Sequence, residues 1–153
     1  MPFTVTGLSP EPFIPLYGLN DAQLAEHRAR RVVVDGAGFP ERIELRDAKP
    51  GETLLLVNFE HQPADTPYRS SHAVYVREGA TEPWSGDHLP QVMRKRLLSL
   101  RAFSADGTMI DADVIEGTEA DPVIERLFAD GRVDYIHAHY AKPGCYAARI
   151  DRA

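Results

Sequence analysis

The chain has a single cysteine, Cys145. No internal disulfide can form, and any chemistry that needs two thiols, redox or metal-binding, is excluded. No stretch approaches the ~20 consecutive apolar residues of a membrane span. The segment Met1 to Gly7 lacks the basic start and apolar core of a secretory signal. The expectation is a cytoplasmic protein with no membrane partner. An excess of positive charge is also missing: 17 Lys and Arg stand against 23 Asp and Glu, for a net charge of −6. The one short basic run, Arg94-Lys95-Arg96 with Arg101 beyond it, reads as a solvated helix face, so no nucleic-acid partner is expected. There is no glycine-rich phosphate loop, nucleophile elbow or Cys-x-x-Cys pair, and no repeat or low-complexity segment.

What remains is 153 residues, 43% hydrophobic and 26% charged, the composition of one globular domain spanning 1–153. Such a chain buries roughly 68–70% of its unfolded surface and needs no staples. Phe3 to Thr6 reads as a strand, and the prolines of Ser9 to Pro15 as an irregular segment. Asn20 and Gln23 form a capping box for a helix from Asp21 to about Arg31. Leu54-Leu55-Leu56-Val57 is apolar at consecutive positions, which predicts a central strand with Leu55 and Leu56 both buried. Ala73 to Val76 follows as a strand, Pro90 to Lys95 as a short helix and Leu97 to Phe103 as a strand. Met109 to Glu116 alternates with period two and pairs with the preceding strand as a hairpin.

Thr118 and Asp121 suggest a capping box for a helix carrying Val123, Ile124, Leu127 and Phe128, with Gly131 just past its end. Val133 to Tyr140 and Tyr146 to Ile150 close the chain as a hairpin around Lys142-Pro143-Gly144. The fold expected is α+β, a mostly antiparallel sheet of about six or seven strands with two or three helices.

Three blocks of residues occur in order: Pro67-Tyr68-Arg69-Ser70-Ser71-His72-Ala73-Val74-Tyr75-Val76, Arg96-Leu97-Leu98-Ser99-Leu100-Arg101, and His137-Ala138-His139 with Ala141-Lys142-Pro143-Gly144-Cys145. With Leu45-Arg46-Asp47-Ala48 and Pro50-Gly51-Glu52, they resemble the bacterial family catalogued as domain of unknown function 1203. The resemblance implies a fold and a bacterial origin but no activity. Many relatives place a cysteine directly after the proline corresponding to Pro40, where this chain has Glu41.

His137 and His139 are two apart on a predicted strand, so both project from one face about 7 Å apart and could grip one metal ion. Asp111 and Asp113 could complete a two-histidine, one-carboxylate set, with His72 and His61 as other donors. The plain alternative leaves the histidines hydrogen-bonded to backbone and the aspartates in water. Tyr68, Arg69, Ser71 and His72 could bind a small molecule or anion, joined by Arg101, His137 and His139. Cys145 is expected to point away from both histidines and is a weak nucleophile candidate, because an even hairpin loop puts it on the face of Tyr140. Two function classes follow: a polar ligand-binding or catalytic pocket near the C-terminal hairpin, or a non-catalytic interaction or homodimerisation module.

Overall fold

Nine strands and three short α-helices form among residues 2–153, the part of the chain that this computed structural model describes. In chain order they are β1 (Phe3–Thr6), α1 (Asp21–Glu26), β2 (Arg30–Val33), β3 (Thr53–Gln62), β4 (Ser70–Arg77), β5 (Ser85–Gly86), α2 (Gln91–Arg94), β6 (Leu97–Phe103), β7 (Met109–Glu116), α3 (Ala120–Phe128), β8 (Tyr135–Tyr140) and β9 (Tyr146–Arg152). They build two antiparallel sheets rather than one. The larger has the order β5-β1-β9-β8-β6-β7, and the smaller is β2-β3-β4. The α+β class holds, with more strands than the turn signals mark. Among the described residues, no helix is long and apolar enough to cross a membrane.

Period-two alternation divides each central strand between two environments. In β8, Ile136, Ala138 and Tyr140 enter a core with Leu98, Leu100, Ile124, Leu127 and Phe128, so α3 covers that face. Tyr135, His137 and His139 take the opposite face, and all six residues are buried. Hydrophobicity along β8 favours neither face because both are covered. In the small sheet, Leu55, Val57, Val74 and Val76 pack with Leu24 of α1 and with Tyr146 of β9, while Leu54 joins Val34 and Ala48 on the far side. Leu56 is only half-buried. β3 is nevertheless central in its sheet.

Helix boundaries depart from the sequence reading where tertiary packing overrides local propensity. The Asn20–Gln23 capping box forms in both directions. The helix stops at Glu26, however; Arg28 takes a left-handed φ of 56°, and residues 30–33 leave to pair with β3. The β-branched Val32 and Val33 suit that pairing better than a helix. Thr118 caps nothing, since it sits in a single 3-10 turn (Gly117–Glu119) and α3 begins at Ala120 without a side-chain cap. The start of α3 is set by Gly117, whose amide donates to the Arg96 carbonyl and where a Cβ would lie 2.0 Å from the Met93 carbonyl oxygen. Gly131 has no left-handed φ and does not cap α3, which ends at Phe128.

The two caps should therefore differ. Asn20→Ala should cost about 1 kcal/mol, and Thr118→Ala should stay within about 0.5 kcal/mol because an exposed residue loses no bond. Urea denaturation of the two variants measures this, and equal losses would contradict the assigned helix starts.

Candidate functional site

The two sheets meet at a cluster of histidines. On β3 the alternation Leu55, Val57, Phe59 continues to His61, with a register shift between Phe59 and Gln62. On β4, His72 pairs with Phe59. From the large sheet come His137 and His139, whose cross-strand partners on β6 are Arg101 and Ser99. His61 is 7% exposed, His137 4% and His139 1%. The His61 ring lies 4.9 Å from that of His139 and 6.0 Å from that of His137, both edge-on. Tyr146 stacks on His61 at 5.4 Å and meets both other rings edge-on, closing the site below. Phe103 and Tyr135 flank His137 at 5.2 and 5.0 Å, and Gln62 donates to the Tyr135 hydroxyl at 2.9 Å.

A carbonyl partner fixes the His139 tautomer, and a shared proton ties His61 to His72. His139 Nδ1 lies 3.0 Å from the Gly144 carbonyl, an acceptor only, so Nδ1 holds the proton and Nε2 is a bare lone pair. The Ser70 hydroxyl donates to the Tyr68 carbonyl, so toward His61 Nε2 it can only accept. His61 Nε2 and His72 Nδ1 share one proton at 3.0 Å; with that proton on His61 Nε2, His61 Nδ1 is the bare lone pair. His61 Nδ1, His137 Nδ1 and His139 Nε2 are all buried without a hydrogen-bond partner. One ring nitrogen from each of the three lies within 4.8 Å of those of the other two.

Electrostatics keep these rings neutral. Burial, reinforced by His72 and Arg101, pushes His61 down to about 4. Burial, reinforced by His61, Arg149 and Arg101, pushes His137 to about 3. Burial brings His139 to about 3 against the opposing Gly144 carbonyl. His72 is lowered by burial and by Arg101. The neutral imidazole is the form that ligates metal. Arg101 is itself pulled below its ordinary value by burial, and its hydrogen bond runs to Ser99 Oγ at 3.2 Å.

The structure joins His72, His137, His139 and Arg101 as neighbours, and His61 supplies the third imidazole. Asp111 and Asp113 do not contribute: they sit opposite Ala102 and Leu100, on the helix-facing side of the sheet, and pair with Arg126 of α3 at 3.4 and 2.7 Å. Two-residue spacing put them on one face, but the register makes it the wrong face. Arg69 is held by Glu60 at 3.2 Å, Ser71 is exposed, and Tyr68 reaches the rim by an edge contact with Phe103. Cys145 lies across from Tyr140, and its Sγ accepts from Arg42 Nη2 at 2.9 Å.

Sequence reasoning gave His61 no more weight than other donors, although its place in the Leu55-Val57-Phe59 alternation was the available signal. Nothing in the sequence pointed to Tyr146 or to Arg42. A family model described as Protein of unknown function (DUF1203) matches residues 38–152, which contain all four clustered histidines. The chain belongs to the DUF1203 family. No curated protein and no solved structure matches it significantly. What a DUF1203 domain does must therefore be argued from this site.

The buried histidines make a sign-definite prediction for metal-free protein. Their folded pKa values of about 3 to 4 lie below the ordinary 6.5, so at intermediate pH the unfolded chain binds more protons. Their stabilisation is complete above pH 6.5 and is lost as pH falls toward 4, by an amount on the order of a few kcal/mol. Chelator-treated protein should show a lower urea midpoint at pH 5 than at pH 7.5, with the gap narrowed in His137→Phe. A midpoint unchanged between those pH values would mean that the rings are solvated.

Proposed function

We propose that this domain binds a divalent transition metal between its two sheets through His61, His137 and His139, and that the metal centres a ligand-binding or catalytic pocket beside the C-terminal hairpin. The observation that carries this reading is the convergence of three buried imidazoles, each with an unpartnered ring nitrogen. Orphaned polar atoms in an interior cost roughly 1–3 kcal/mol each, and a metal ion bound through an orphaned nitrogen would satisfy it. Three neutral imidazoles suit zinc, iron(II), copper or nickel, and three protein ligands leave a coordination position for water or substrate. Nitrogens sharing a tetrahedral zinc stand about 3.4 Å apart, so the rings would draw inward on the ion by side-chain rotation. The hydrogen bonds to Gly144 and to His72 would orient His139 and His61 from behind, as second partners do in metal sites.

The free single thiol supports a reducing, cytoplasmic setting, and the family resemblance supports a bacterial source. The alternative, an interaction or homodimerisation module, has thinner support. β7 is an open sheet edge with Val114 55% exposed, but Asp111, Asp113 and Glu116 place charge along it, the usual guard against edge pairing.

Tag-free protein stripped with chelator should take up one equivalent of Zn²⁺ in calorimetry. At a hundredfold excess of free metal over Kd it should be stabilised by about 2.7 kcal/mol. His139→Gln and His61→Gln should each remove tight binding, whereas changing the exposed His27 and His88 together should not. Uptake that survives both buried substitutions, or no uptake by the folded wild-type protein, would reject the metal reading.

A further inference from the structure

A cavity of about 770 Å³ opens at the tip of the β8–β9 hairpin, and none of the three proposed metal ligands lines it. Its cationic lining is Arg42, Lys95, Arg96 and Lys142, in a protein whose net charge is −6. Asp47, which is not in the lining, is shared by Lys95 and Arg96. Glu116 is the only carboxylate in the lining, so two positive charges remain in excess.

Arg42 is the most demanding of these groups. It is 2% exposed, yet among the described residues its guanidinium meets no carboxylate. Nε donates to the Tyr146 carbonyl at 2.8 Å, Nη1 to the Pro40 carbonyl and Nη2 to Cys145 Sγ at 2.9 Å. A guanidinium has five N–H donors, so two are left over at the cavity wall. The guanidinium carbons of Arg42 and Arg96 lie 5.1 and 5.4 Å from the centre of the same Tyr140 ring. Asp47 offsets the charge of Arg96, whereas Arg42 at the same ring has no carboxylate among the described residues, and a buried unpaired guanidinium is costly unless an anion joins it. Tyr140 and Tyr75 both line the cavity and supply wall area for an apolar body.

We propose that this cavity binds a small organic anion, a carboxylate or phosphate monoester on a compact aromatic or apolar body, with Arg42 and Lys142 taking the acidic group and Tyr75 and Tyr140 the body. The proposal does not depend on metal at the histidines, and its test requires none.

Cys145, the only thiol, lines the same cavity and reports on its occupancy. Benzoate and phenyl phosphate serve as probes, with inorganic phosphate as the arm that lacks a body. Alkylation of Cys145 by iodoacetamide, followed by intact mass, should slow at saturating benzoate or phenyl phosphate. Inorganic phosphate should protect only at higher concentration. Lys142 is exposed, so Lys142→Glu should fold normally and weaken protection by at least about tenfold, the effect of adding repulsion to a lost charge pair. Arg42→Met should abolish protection if it folds; Lys142→Glu keeps the test decisive if it does not. Titration of ¹⁵N-labelled protein with the same probes reads binding directly where alkylation is slow. Neither organic probe binding below about 10 mM, or equal protection in wild type and Lys142→Glu, would overturn the proposal.

Discussion

The arrangement of this domain follows from β8 being paired on both edges and covered on both faces. Its neighbours are β6 and β9, α3 closes one side, and residues of the small sheet close the other. A strand in that position would ordinarily be filled with Val, Ile and Leu. Ile136 and Ala138 satisfy this, but His137 and His139 do not. Packing alone does not require imidazoles there, since aliphatic side chains of similar volume would fill the space without orphaned nitrogens. The fold thus accommodates a polar group at its most enclosed strand, and a site for a bound species explains that better than packing does.

Much of the architecture could be read locally. β6 and β7 match their predicted bounds, and Asn20 with Gln23 marks a real helix start, because period-two alternation and a capping box depend only on near neighbours. The failures occur where distant residues decide. Residues 30–31 become strand because β3 offers them a partner, and α3 starts where Gly117 fits against the Met93 carbonyl. The division into two sheets was not legible, because each strand carries the same alternation whichever sheet it joins.

The candidate site was legible in part for the same reason. That His137 and His139 share a face follows from strand geometry. Which group faces them depends on how the second sheet docks, and no spacing rule encodes it. Asp111 and Asp113 had the right chemistry and the right internal spacing, yet β6–β7 pairing placed them against Arg126. Arg42 was hidden in a short irregular stretch, where its neighbour Glu41 is buried and accepts from the Ile43, Glu44 and Arg77 amides. Burial pushes the Glu41 carboxyl above its ordinary value against the pull of those bonds.

The histidine cluster and the cationic cavity are joined by two structural links. Gly144 holds His139 through its carbonyl, and the next residue, Cys145, meets Arg42 at the cavity. His72 hydrogen-bonds His61 and also lines the cavity. Anything that shifts the hairpin turn or turns the His72 ring therefore alters both places through direct contact. Charge acts in the same sense. A divalent ion among the histidines would sit near Arg101, which already disfavours protonation of all four rings. That repulsion weakens metal binding, and an anion nearby offsets it. Were a cation bound at the histidines and an anion in the cavity, the two would couple favourably, because each bound charge would relieve a cost the other would meet alone.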